Sequence, residues 1–141
     1  MKAILSALKS AIPAGISAIK KCGVLPDPDI LPQGVEFPYA GLKDGDTSRT
    51  EGMGQTVSEV KSVLIYVYVQ ILKEEASVMG DGSKKGVLDL MQDLVNLLDW
   101  NALGGIVSHA FCSEIMASET FMTGENVFIQ RKGCRYTYQI E

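Results

Sequence analysis

The sequence is poor in the side chains on which catalytic and metal sites depend. Its 141 residues include one histidine and three scattered cysteines, with no Cys-x-x-Cys pair. A catalytic base needs a nucleophile beside it, and a zinc site needs clustered ligands. We therefore expect His109 to be a strand or surface residue, and we expect no enzyme activity, no metal and no cofactor. The cysteines fit reduced core thiols in a cytoplasmic protein: Cys22, Cys112 and Cys134.

Long apolar runs and a surplus of basic residues are also missing. The longest strongly apolar run, Val63–Val69, is far shorter than the ~20 residues of a membrane span. Lys9 and Pro13 interrupt the N-terminal apolar stretch, which argues against a signal peptide. The net charge is −4 and 46% of the residues are apolar. These values predict a soluble, non-secreted single domain over residues 1–141 and argue against a dedicated nucleic-acid binder.

Charge is unevenly distributed along the chain. Residues 1–21 carry four lysines and no acid, whereas residues 27–59 carry seven acids against Lys43 and Arg49. Such an asymmetry suits head-to-tail contacts between copies, in which a basic surface meets an acidic one.

The N-terminal segment, residues 1–21, has the periodicity of an amphipathic helix. Its apolar side chains share one side of a helical wheel: Ile4, Leu8, Ala11, Ile12, Ile16 and Ile19. The opposite side carries a row of lysines: Lys2, Lys9 and Lys20. We expect Pro13 to kink the helix or to begin a second helical segment. The row is either a solvated face or a face that meets an acidic neighbouring subunit, so its lysines are candidate interface residues.

Prolines and glycines follow this helix. Residues 22–34 hold three prolines and two glycines, which predicts an extended connector, and Val35–Leu42 predicts a short strand. Residues 43–56 are polar and rich in glycine without periodicity. They predict a long exposed loop or an extended hairpin, and we expect this segment to be mobile in a free protomer.

Three acids of this segment are candidate channel-facing or partner-facing residues: Asp44, Asp46 and Glu51. A calcium-binding EF-hand loop would need alternating acidic ligands and a glutamate at its twelfth position. Residues 44–55 lack that alternation and end in Gln55. Turn formation accounts for Asp44-Gly45 without a metal.

The strongest strand signal is Ser58–Leu72. One face of this strand is entirely aliphatic and predicts contact with a core: Val63, Ile65, Val67, Val69 and Ile71. The other face carries Tyr66 and Tyr68, which suit a surface that is covered but still wet. We take both tyrosines as candidate interface residues and expect the strand to be central in its sheet.

The remainder predicts one helix and two strands. A broad apolar face predicts a helix over about residues 84–99, and the preceding Gly80–Gly86 lacks the Gly-Lys-Ser/Thr of a phosphate-binding loop. Ile106–Ser118 predicts a strand, and Asn126–Ile140 predicts a closing strand or hairpin with a bulge at Gly133. The order α–β–loop–β–α–β–β predicts an α+β fold with a single mixed or antiparallel sheet of about four strands and helices packed on one face.

The order of the predicted elements and three short sequence segments resemble those of a known protein family. The segments are Glu36–Gly45 (EFPYAGLKDG), Gly86–Met91 (GVLDLM) and Gln130–Tyr138 (QRKGCRYTY). Together with the N-terminal helix and the connector, they resemble the tail terminator, or tail completion, proteins of long-tailed bacteriophages and related neck proteins. The resemblance covers nearly the whole chain and carries over no catalytic residue.

The resemblance implies a structural virion protein. Such proteins typically form a hexameric ring that caps the tail tube and joins it to the head connector, with genomic DNA passing through the central channel. The implied partners are further copies of the chain, the tail tube protein and the connector or stopper proteins, and assembly takes place in the bacterial cytoplasm without a membrane. The alternatives are another neck protein, such as a stopper or connector, or a small α+β ligand-binding module. A small hydrolase is disfavoured by the single histidine.

Overall fold

The computed structural model describes residues 1–123 and 127–140. Its fold is α+β, with three α-helices and six strands in the described residues. Asn126, which the closing strand was predicted to include, lies outside the described residues. In chain order the elements are α1 (Lys2–Gly15), β1 (Lys21–Val24), β2 (Tyr39–Glu51), β3 (Val57–Gln70), α2 (Glu74–Met79), α3 (Val87–Leu98), β4 (His109–Ile115), β5 (Glu119–Met122) and β6 (Phe128–Ile140).

The strands form one mixed sheet in the order β1-β2-β3-β6-β4, and β5 also pairs with β6. Only β1 and β2 run parallel among the described pairs; the others are antiparallel. The predicted number of about four strands was too low. β1 and β5 have four residues each, too few to show a period of two. The predicted strand Ile106–Ser118 is shorter than expected, and β4 covers only its middle part.

The main core lies between one face of the sheet and the helices α1 and α3, as predicted. The aliphatic face of β3 supplies Val63, Ile65 and Val67, all of which are fully buried. Leu8 of α1 and Leu94 of α3 are equally buried in the same cluster. Burial of one such side chain stabilises the fold by about 1.5–3 kcal/mol. This face is called the inner face below, and the opposite one the outer face.

Two helices differ from their predicted bounds. α1 ends at Gly15 instead of continuing to residue 21: Ile16 is its extended C-cap and donates its backbone N–H to the Ile12 carbonyl at 2.9 Å. α3 begins at Val87 because the extended Gly86 is its N-cap, with an N–H that donates to the Asp89 carboxylate at 3.4 Å. The short helix α2 was not predicted.

Gly133 does not form the predicted bulge. The β3–β6 register is continuous through the pair Tyr66–Gly133. A Cβ atom at this position would lie 2.6 Å from the Tyr66 ring. Glycine is therefore required because an aromatic ring packs directly on the backbone. The irregularity of this region lies in β4, between Cys112 and Glu114.

The polar segment 43–56 forms the extended hairpin, one of the two predicted alternatives. β2 continues to Glu51, a short 3-10 turn covers Met53–Gln55, and β3 begins at Val57. A register shift between Asp44 and Thr47 interrupts the pairing. Mobility of this segment in the free protomer remains a prediction.

Candidate functional site

The outer face of the sheet is open over much of its length. Its uncovered part consists of alternate residues of three neighbouring strands, all at least partly exposed: Val60, Ser62, Leu64, His109, Phe111, Arg135, Thr137 and Gln139. Aliphatic, aromatic and polar side chains are thus mixed on this surface.

The other end of the outer face is covered by the chain's own connector. Tyr68 is fully buried there, and its hydroxyl donates to the Pro28 carbonyl at 2.7 Å. Tyr66 is half-buried, with the Arg131 guanidinium 5.4 Å from its ring centroid. Burial raises the pKa of both phenols. Of the two predicted interface tyrosines, only Tyr66 is therefore partly exposed in the protomer.

Arg131 fastens the connector to the sheet. Its guanidinium donates to the Pro28 carbonyl at 3.1 Å and pairs with the carboxylates of Asp29 and Glu119. It also lies 4.9 Å from the Phe121 ring centroid. Sequence reasoning missed this side chain, because its partners in the connector lie about a hundred positions away along the chain.

The β2–β3 hairpin projects beyond the core as a two-stranded arm, defined as residues 45–58. Residues 46–58 are exposed on both faces. The Ser62 hydroxyl donates to the Asp46 carbonyl at 3.0 Å near the base of the arm, and Arg49 pairs with Glu59 across the strands at 3.4 Å. At its tip, Met53 is 93% exposed.

The three predicted acids are spread along this hairpin. Asp44 pairs with Lys43 at 2.9 Å, and this contact lowers the pKa of the Asp44 carboxyl. Asp46 is exposed next to the register shift, and Glu51 is exposed near the tip. Asp44 and Glu51 are seven positions apart along the strand, a distance of about 23 Å. The three acids therefore do not converge on one point. Among the described residues, no cluster of His, Cys, Asp or Glu side chains could hold a metal ion.

The three predicted lysines do not share one helix face. Lys2 and Lys9 are exposed on α1, seven residues apart. Lys20 lies beyond the end of that helix, at the edge of a cleft. The row was predicted from a helix that continues to residue 21, and the early end of α1 separates its last member from the others.

This cleft lies at the far end of β3, between residues 37–38, which precede β2, and the loop before α3. It has a volume of about 410 Å³. Its walls include the apolar residues Phe37, Pro38, Val69 and Leu72. Its edge carries three exposed lysines, Lys20, Lys84 and Lys85. Lys85 pairs with Asp93, whereas neither Lys20 nor Lys84 takes part in a salt bridge with any described residue.

Asp81, which shortly precedes the two cleft lysines Lys84 and Lys85 in the chain, is engaged by backbone N–H groups. The Asp81 carboxylate accepts the backbone N–H of Lys84 at 2.8 Å and that of Ser83 at 3.1 Å. These hydrogen bonds lower the pKa of Asp81. The cleft therefore combines an apolar floor with a net positive edge.

His109 and Cys112 lie on opposite faces of β4, as predicted. His109 lies opposite Gln139 in the β4–β6 register, on the outer face. Its ring packs edge-on against Trp100, with the ring centroids 4.9 Å apart. Cys112 lies opposite the buried Tyr136, and its pKa is lowered to about 7 by a hydrogen bond with the Cys134 thiol. All three cysteines are free thiols.

An exposed aromatic patch beside His109 was not predicted. Trp100 is 71% exposed and Phe111 is 38% exposed, with ring centroids 6.4 Å apart. The alternation of His109 and Phe111 within a strand was the available signal, since it places both on one face. This patch extends the open outer face to the edge strand β4.

Comparisons with known proteins leave the interpretation to this geometry. No known protein family matches the sequence, and no curated protein matches it either. Among the described residues, no helix has the length and apolarity needed to cross a bilayer. The features with a capacity for interaction are the open outer face, the arm and the cleft.

Proposed function

We propose that this protein is a structural virion subunit that caps a phage tail tube and joins it to the head connector as a ring of protomers. The arm is the observation that carries the proposal. Residues 46–58 extend beyond the core with both faces exposed. A two-stranded ribbon is marginally stable by itself in water. A neighbouring subunit that packs on the arm would supply the missing apolar contact.

The open outer face supports the same role. A sheet with one face uncovered can pack against another protomer, and its polar and aromatic side chains suit an interface that forms after folding. Contacts between different surfaces of identical subunits are heterologous, and they generate a ring when the rotation closes.

The acids of the hairpin suit a channel for DNA. Asp44 and Asp46 are exposed at the base of the arm. Carboxylates that line a channel repel the DNA phosphates and prevent the genome from adhering to the wall. Within the proposed function, these two acids face the channel, and the role of terminator is preferred to that of a stopper or another neck protein.

Removal of the arm tests the proposed function. The variant replaces residues 49–59 with a two-residue Asn-Gly turn that joins the native pair Ser48–Val60 and leaves the inner core untouched. We expect it to fold, to leave separate heads and tails in cells that carry the gene, and to be complemented by the wild-type chain. Normal yields of joined particles with the armless chain would contradict the proposal.

A small ligand-binding module is the second candidate, and the cleft of about 410 Å³ is the observation that favours it. Pockets for small molecules typically have volumes of about 300–1,000 Å³. Two measurements distinguish the candidates: native mass spectrometry would find a module as a monomer or dimer with a bound small molecule, whereas electron microscopy would find the neck protein in rings on tail tubes.

A further inference from the structure

We propose that the tip of the arm docks in the lysine-edged cleft of a neighbouring copy of the chain. The proposal rests on the proposed ring and identifies the two surfaces that join its protomers. The donor is the tip, residues 51–57, and the acceptor is the cleft edged by Lys20, Lys84 and Lys85.

The two surfaces are complementary in charge. Residues 44–61 contain four carboxylates and two basic side chains. Arg49 and Lys61 both pair with Glu59, and Glu51 at the tip takes part in no salt bridge with any described residue. In the cleft, Lys20 and Lys84 are the cations without such a partner. An acid and two lysines that lack partners within the protomer can neutralise each other between protomers.

The apolar parts are complementary as well. Met53 at the tip is 93% exposed, and Val57 at the start of β3 is 48% exposed. In the cleft, Leu72 is 68% exposed beside the apolar floor. Methionine is flexible and fills irregular apolar gaps. Insertion of Met53 against Leu72 would remove both side chains from water.

The geometry requires two copies of the chain. Val57 and Gln70 mark the two ends of β3, which has 14 residues. An extended strand of this length places the tip and the cleft about 43 Å apart. A protomer therefore cannot fill its own cleft, and each copy presents a donor at one end and an acceptor at the other. This head-to-tail arrangement is the heterologous contact from which rings are built.

Directed crosslinking tests the contact. Two chains are purified separately in a Cys112→Ser background, one with Met53→Cys on the arm and one with Leu72→Cys at the cleft. The matched control moves the second cysteine to the exposed Ser6 of α1. With a short bis-maleimide reagent, which alkylates one thiol at each end, we expect the Met53→Cys and Leu72→Cys chains to form a covalent heterodimer about tenfold faster than the control pair. Equal rates for the two pairs would overturn the proposal.

Charge exchange supplies a second readout of the same contact. Glu51→Lys on the arm chain, or Lys84→Glu on the cleft chain, should slow crosslinking about tenfold, and the two together should restore it. About 0.5 M salt should weaken the contact of the unmodified pair. Reversal of Lys2 and Lys9 to Glu is the control and should leave the rate unchanged.

The outcomes separate this inference from the proposed function. If charge reversal of Lys2 and Lys9 abolishes crosslinking and assembly, and charge reversal in the cleft does not, then α1 is the acceptor. That result would contradict docking in the cleft but not the proposed ring. A co-purified small anion in the cleft, with no crosslink from Leu72→Cys, also overturns the docking proposal. Absence of the chain from head–tail junctions contradicts the proposed function itself.

Discussion

Replacement of Arg131 by methionine should weaken the packing of the connector on the outer face. The Arg131 side chain is 11% exposed, and its guanidinium contacts the connector, β5 and two aromatic rings. Methionine retains much of the apolar stem and removes every hydrogen bond of the guanidinium. The substitution therefore isolates the polar contribution.

The size of the loss follows from these contacts. The hydrogen bond to the Pro28 carbonyl contributes about 1 kcal/mol, and the stacking on Tyr66 and Phe121 contributes about 1 kcal/mol. Asp29 and Glu119 are mostly exposed, so their ion pairs add about 0.5 kcal/mol together. We expect Arg131→Met to lower the free energy of unfolding by about 2–3 kcal/mol.

Arg135→Met is the matched control. Arg135 lies four positions further along β6, is about half exposed and pairs with Glu114 at 3.2 Å. Loss of such an exposed pair costs about 0.5 kcal/mol. Urea unfolding of the two variants measures the difference. A loss for Arg131→Met no larger than that for Arg135→Met would refute the assignment of Arg131 as the side chain that fastens the connector.

Further predictions concern the cysteines, the core and the arm. Cys112 should be alkylated faster than the other two thiols, at a rate that increases as the pH passes about 7. The hydrogen bond from Cys134 lowers the pKa of Cys112, whereas burial raises the pKa of Cys22 to about 12. Peptide mapping after alkylation measures the rates, and a similar rate at Cys22 would contradict this prediction. Val67→Asp should prevent folding, because Val67 is fully buried against the helices, and a soluble cooperative variant would show that β3 is oriented incorrectly. Amide hydrogen exchange should be fast in residues 46–58 of the free chain and slow in the assembled form; equal protection in both would contradict docking of the arm.

Much of the inner core could be predicted from the sequence. The alternation of Val63, Ile65 and Val67 and the wide apolar face of α3 are strong local signals, and each element has to bury its apolar side against another. Ile16 and Ile19, which share the apolar side of the predicted helix, are buried although they lie beyond the end of α1. Apolar periodicity thus located buried residues better than it located the end of a helix.

The surfaces were harder to predict because they depend on contacts that are distant in sequence. The cleft brings Lys20 beside Lys84 and Lys85 across more than sixty positions, and no local pattern contains that approach. The arm has two exposed faces, so its strands show no alternation. Gly133 was interpreted from local rules as a bulge, whereas the packing of Tyr66 on the backbone explains it.

A particle reconstruction of the head–tail junction tests the central claim most directly. Particles from cells that carry the gene would be imaged with the chain labelled by an inserted epitope at the exposed turn Gly104–Gly105, which belongs to neither the arm nor the cleft. The account predicts a closed ring of copies, most simply six, between the tail tube and the connector, with each arm seated on its neighbour. Two-fold dimers at this position, or junctions that lack the chain, would contradict it.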